Sequence, residues 1–169
     1  MLSNLDILEI TEYYNLPLID VEMKDKLRGK PKDGAYIVNL QSSNVGNGTH
    51  WCMFYVNRKE VVYFDPFGVL PPLEVEKFIK KIKGVHLYYN EFNIQDLKSE
   101  MCGWFCIACI HYIHNNIKHD DLYNVFNRFI NGFSCNTKEN DSILKSYFKK
   151  YEKVDGKMPL IMRKLLKYK

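Results

Sequence analysis

The sequence predicts an α+β fold, with one helix first, a sheet next and a run of helices last. Three observations carry this. Two apolar, β-prone runs flank the polar tetrad Asn57-Arg58-Lys59-Glu60, which is a hairpin signal. The stretch from Cys102 to Asn116 is apolar nearly all round, as a buried helix must be. Beyond residue 120 the apolar spacing turns helical three more times.

Taken in order, "SNLDILEITEYYN" reads as the first helix. Ser3 caps it with Asp6 three residues on, and Leu5, Ile7, Leu8 and Ile10 supply an apolar side. Leu16-Pro17 ends it. "GKPKDG" (29–34) is a turn, "AYIVNL" (35–40) a strand, and "QSSNVGNGT" (41–49) a polar loop. The hairpin strands that follow are apolar on both faces, so they belong at the centre of a covered sheet. "PPLEVEKFIKKIKG" (71–84) is a helix entered by Pro and left by Gly84, and "VHLYYN" (85–90) is a short strand. After the helix at 102–116, helices are expected near 121–131, 140–151 and 158–168, with Asn140 as a cap.

The chain has 169 residues and reads as one domain, 1–169, with a motif-bearing core at about 35–115 and a helical C-terminal region at 120–169. Hydrophobic residues make up 46%, which supplies a substantial core and excludes a disordered chain. The net charge of +4 does not by itself point to nucleic acid. The tail "KMPLIMRKLLKYK" is more telling: Lys157, Arg163, Lys164, Lys167 and Lys169 stand there without an acid. Such a stretch is either a solvated helix face or a polyanion contact. There is no secretory leader and no apolar run of membrane-spanning length, so neither secretion nor a membrane partner is expected. Five cysteines without an export signal read as free thiols in a reducing compartment.

The chemistry starts from the hairpin register. With Arg58-Lys59 at the loop centre, Asp65 lies opposite Cys52, and His50 shares a face with Cys52. His50 and Asp65 are then diagonal neighbours, roughly 7–8 Å apart at Cα and closer at the side chains. An imidazole oriented by a carboxylate is the base half of a nucleophilic triad. Cys102 supplies the third member. At a helix start, the positive end of the dipole favours a thiolate, and the first-turn amides are free to form an oxyanion hole. Gly103 would let a substrate carbonyl approach those amides. Gln95, seven residues before Cys102, could add a side-chain donor.

The spacing C-x3-C-x2-C at 102, 106 and 109 also invites an iron–sulfur or zinc reading. Both fit poorly. The three cysteines lie along one apolar helix, and His111 falls off their face. No metal is expected, and Cys106 and Cys109 are read as small core residues.

Four motifs together carry a resemblance: "GTHW", "YFDPFG", the Gln seven before the cysteine, and "CGWFC" opening an apolar helix. They resemble the clan of cysteine proteases that holds the adenovirus maturation protease and the SUMO-specific proteases. The chain order His50, Asp65, Gln95, Cys102 is that clan's order, whereas papain places its cysteine first. The compact sequence is most similar to the enzymes of virophages and Maverick-Polinton-type elements. The resemblance implies a permuted papain-like fold, with a central mixed or antiparallel sheet packed by helices and the nucleophile opening a buried central helix. It implies His50 as general base and acid, Asp65 as its orienter, Gln95 as an oxyanion donor and Cys102 as the nucleophile. Trp51 and Gly103 would bind substrate. The implied activity is cleavage of capsid or other virion precursor polypeptides by a monomer, in the virion and the host cytoplasm or nucleus. No cofactor is required. DNA, through the basic tail, or a peptide could activate. Residues 53–101 hold no cysteine, so the thiol that binds the activating peptide in the adenovirus relative has no evident counterpart there. Two other readings stay open: a deubiquitinase or SUMO-type isopeptidase, and a non-catalytic nucleic-acid or virion-binding module.

Overall fold

The computed structural model describes residues 1–46, 48–153 and 157–167. Among these are six α-helices and a mixed five-stranded sheet, an α+β architecture. The sheet order is β1 (Leu18–Met23), β2 (Gly34–Asn39), β3 (Trp51–Asn57), β4 (Glu60–Phe64), β5 (His86–Tyr89). The three central strands are antiparallel, while both edge strands run parallel to their neighbours.

The hairpin closes in the expected register, with Asn57 opposite Glu60 and Met53 opposite Phe64. Arg58 takes a left-handed backbone, φ +58°, in its turn. Side chains then alternate across the sheet. Trp51, Met53, Tyr55, Val62 and Phe64 face one core, and Cys52, Phe54, Val56, Val61 and Tyr63 face the other. Burying each of these large side chains contributes about 1.5–3 kcal/mol. The first core is covered by helices α1 (Asn4–Tyr13), α3 (Cys102–Asn116), α4 (Leu122–Asn131), α5 (Asn140–Lys150) and α6 (Leu160–Lys167). The second is covered by α2 (Leu73–Ile79) through Val75, Phe78 and Ile79.

Local signals account for several boundaries. Ser3 and Asp6 form a reciprocal capping box at α1. The buried face of that helix is Ile7, Ile10 and Thr11, while Leu5 and Leu8 point outward, against expectation. α2 stops at Ile79, short of Gly84. The chain beyond it tightens into three-residue bonds, Lys81 N to Phe78 O and Ile82 N to Ile79 O. Strand β1 was not expected. Its half-buried pattern, with Asp20 and Glu22 among the apolar residues, lacks a core strand's apolar run. The basic tail is an amphipathic helix. Met162 is fully buried, Ile161, Leu165 and Leu166 pack on the core, and Arg163, Lys164 and Lys167 are exposed. Lys169 lies outside the described residues. No helix among the described residues is long and apolar enough to cross a membrane.

His111, which showed no partner in the sequence, is buried where α1, α3 and α5 meet. Its Nδ1 lies 2.6 Å from the Tyr147 hydroxyl, and the rings of Tyr14 and Tyr151 pack against it. Burial, followed by the nearby charges of His114 and Lys153, pushes its pKa down from 6.5 to about 4. The folded state thus holds this ring neutral where the unfolded chain would take up a proton. The resulting stability is present above pH 6.5 and is lost as pH falls towards 4. His111→Phe should flatten the pH dependence of Tm across that window, as thermal unfolding of both proteins between pH 4 and 7 would show.

Candidate active site

The site forms where the hairpin strands end and α3 begins. Beyond the last ladder pair, His50 Nε2 donates to Asp65 Oδ1 at 2.8 Å. Asp65 is fully buried, and His50 retains slight exposure. The turn Asp65–Gly68 does more than supply the carboxylate. Phe67 donates its backbone N–H to the same Oδ1 at 2.8 Å, and its ring stacks on the imidazole at 4.6 Å between centroids. Rotation of the imidazole is thus limited by a hydrogen bond at one edge and a ring across its face.

Asp65 is held from behind by Asn90, which no local pattern singled out. The Asn90 side-chain oxygen accepts the Asp65 N–H at 3.1 Å, and its Nδ2 donates to Asp65 O at 2.7 Å and Phe92 O at 3.0 Å. Gly68, at φ +70°, allows the loop after β5 to close against this turn. A Cβ there would meet the Phe92 carbonyl carbon at 2.7 Å and Asn93 N at 2.9 Å.

α3 brings Cys102 to the imidazole. Cys106 Sγ approaches Trp51 O at 3.5 Å, and Cys102 lies one helical turn nearer the helix start, towards His50. Cys102 is the first residue of α3 and is buried. Its N-cap, Met101, offers no side-chain cap, and the intrahelical ladder begins at Phe105 N to Met101 O. The amides of Cys102, Gly103 and Trp104 therefore lie ahead of that ladder. Cys106 and Cys109 are completely buried, and burial pushes both thiols well up. Cys52 lies in β3, also buried, while Cys135 is exposed.

The electrostatics centre on His50. Burial lowers its pKa, but hydrogen bonds to Asp65 and then Cys102, with the charges of both, outweigh this and carry it from 6.5 to about 9. The ring therefore holds its proton more tightly than a free imidazole. With Nε2 engaged by Asp65, Nδ1 is the nitrogen available to the thiol.

Gln95 lies buried in the loop before α3. Its Nε2 donates to Ser99 O at 2.7 Å, which leaves the second amide proton, and its Oε1 has no partner. Asp65 Oδ2 is likewise buried and unpartnered. The hydroxyls of Tyr14 and Tyr63 are also buried without a partner among the described residues.

Trp51 and Gly103 both pack against the N-terminal segment. The Trp51 indole donates to Leu2 O at 2.8 Å. A Cβ on Gly103 would meet Leu2 Cδ1 at 3.1 Å and Trp51 Cδ1 at 3.3 Å. A side chain at 103 would press on Leu2 and on the Trp51 ring, each of which would have to shift by a few tenths of an ångström. A cavity of about 430 Å³ is lined by Leu2 and Trp51 together with Ser3, Val21, Glu22 and Asn39.

No protein-family model matches the chain, and no curated protein matches it. Solved structures do. The ASFV pS273R protease aligns at 18% identity over 65% of this chain and 41% of its own, with a TM-score of 0.46. AvrA, with IP6 and CoA, aligns at 18% identity over 86% of this chain and 65% of its own, with a TM-score of 0.50. The central domain of Lpg1148 from Legionella pneumophila aligns at 13% identity over 89% of this chain and 96% of its own, with a TM-score of 0.41. The likeness to AvrA shows a shared fold. The chain spans well under two thirds of the ASFV protease and just under two thirds of AvrA.

Replacing Asp65 by Asn weakens the hydrogen bond that most raises the His50 pKa and removes the charge beside it. The midpoint at which His50 loses its proton should fall from about 9 towards 6.5. The rate of Cys102 alkylation against pH would report this as an earlier loss of the imidazolium-dependent phase.

Proposed function

We propose that the chain is a cysteine endopeptidase, with Cys102 as nucleophile, His50 as general base and acid, and Asp65 as its orienter. The observation that carries this reading is the single relay of a buried carboxylate, an imidazole and a helix-opening thiol. The three groups come from β4's end, β3's start and α3's start, and the fold brings them together at one point. A merely structural histidine has no need of a buried acid on one edge and a thiol on the other.

The mechanism follows from the roles. His50 takes the Cys102 proton, and the thiolate attacks a peptide carbonyl to form a C–S bond. The oxyanion is met by the first-turn amides of α3 and by the second amide proton of Gln95. His50 protonates the leaving amine as the C–N bond breaks. Water, deprotonated by His50, then hydrolyses the thioester. The permuted papain-like topology, the processing of virion precursor polypeptides, DNA contact through Arg163, Lys164 and Lys167, and a single-domain monomer are the remainder of this proposal.

A second reading draws on the fold shared with AvrA, whose structure holds CoA. The same three groups could accept an acyl group from a thioester onto Cys102 and pass it to an amine instead of water. Incubation with an acyl-CoA and with peptide pools separates the two, because only the acyltransferase would label an acceptor protein.

Co-expression with candidate precursor polypeptides, read by mass spectrometry of the cleaved ends, tests the main reading. Cys102→Ala should abolish cleavage. Gln95→Ala should slow it by roughly 10²–10³-fold while remaining folded. Processing by Cys102→Ala at the wild-type rate would refute the assignment.

A further inference from the structure

Gln95 sits on a loop, and a loop donor is useful only if something fixes it. The loop from Asn90 to Met101 has no regular structure of its own. Its constraint comes from the far end of the sequence, at the start of α5.

Asn140 was expected to cap α5. It does not: the N-cap is Glu139, without a side-chain cap bond, and Asn140 is fully buried as the first helical residue. Its side chain is used elsewhere. Nδ2 donates to Ile94 O at 2.8 Å and to Ser134 O at 2.9 Å, and Oδ1 accepts Ser134 N–H at 2.8 Å. Ile94 O belongs to the peptide unit whose N–H is that of Gln95, and this N–H donates to Pro66 O at 3.0 Å. One peptide plane is therefore pinned at its oxygen by α5 and at its nitrogen by the residue that follows Asp65. That fixes the direction in which the Gln95 side chain leaves the backbone.

The side chain's other end is tied to the same helix. Gln95 Nε2 donates to Ser99 O, and the Ser99 hydroxyl donates to Asp141 Oδ1 at 2.8 Å. The Ser99 oxygen also accepts Met101 N–H at 3.2 Å, directly before Cys102. Two consecutive residues of α5 thus hold Gln95 at both ends, one through its backbone and one through Ser99.

Resting on the endopeptidase reading above, we infer that Asn140 and Asp141 are positioning residues that set the oxyanion loop. On this account α5 is a working part of the site as well as cover for the core. Neither residue touches the reacting atoms.

The test compares two reactions of Cys102. In acylation by p-nitrophenyl acetate, the thiolate attacks the ester carbonyl, a C–S bond forms and p-nitrophenolate leaves, through an oxyanion. In alkylation by iodoacetamide, iodide leaves and no oxyanion forms. Asn140→Ala should slow acylation by about 10-fold or more, below the roughly 10²–10³ of losing a donor outright, and leave alkylation unchanged. In a Gln95→Ala background, Asn140→Ala should cost nothing further. Asp141→Ala, which spares the buried Asn140 contacts, should act in the same direction if Asn140→Ala does not fold. Asp141→Asn keeps an acceptor for Ser99 and should stay near wild type. Unchanged acylation in Asn140→Ala and Asp141→Ala would overturn the inference, and so would acylation and alkylation falling together. If wild-type Cys102 reacts no faster than Cys135 with either reagent, the endopeptidase reading itself fails and this inference with it.

Discussion

The hydrogen bond from His50 to Asp65, 2.8 Å long and closed on a fully buried carboxylate, is the contact on which the rest of the site depends. It exists because the β3–β4 hairpin turns at Arg58-Lys59 and no residue earlier or later. A one-residue slip would send His50 to the opposite face of the sheet from Asp65 and would also exchange the two cores. The stability of the sheet and the geometry of the site are thus fixed by the same register. Phe54 and Tyr63 on one face, with Met53 and Phe64 on the other, hold that register by burial.

The site has two halves with separate supports. The hairpin and its Asp65–Gly68 turn deliver the imidazole, while α3 and the loop before it deliver the thiol and the amides. They meet at Pro66, whose carbonyl takes the N–H groups of Ile94 and Gln95. They meet again at Asn90, which grips the Asp65 backbone from that same loop. The Asp65–Gly68 turn is therefore a joint, and movement of it would disturb the acid and the Gln95 donor together. Its own oxygen, Asp65 Oδ2, goes unpaired. It is buried without a hydrogen-bond partner among the described residues.

Much of this was legible in the sequence, and the limits are physical. The α3 span, the capping box at Ser3 and the hairpin register rest on local patterns of charge and apolar spacing, and these decide local structure. The pairing of His50 with Asp65 followed from register alone. Strand β1 was hidden because its mixed pattern of Asp20 and Glu22 among apolar residues belongs to a half-covered edge, not to a core strand. Leu5 and Leu8 were assigned inward because an apolar side chain carries no record of which helix face the core will reach. Asn140 was read as a cap because that is the local use of Asn before a helix. Its actual partners, Ile94 and Ser134, include one that only the tertiary fold brings near. Asn90 and Phe67 were missed for the same reason, although Phe67 sits within the motif that supplied Asp65.

The central claim is that Asp65 and Cys102 jointly raise the His50 pKa. NMR titration of the His50 ring nitrogens measures this without any substrate. The account predicts protonation retained through neutral pH and lost at about 9, with Cys102→Ala and Asp65→Asn each lowering that midpoint. Titration at the ordinary value of 6.5, unmoved by either substitution, would contradict it.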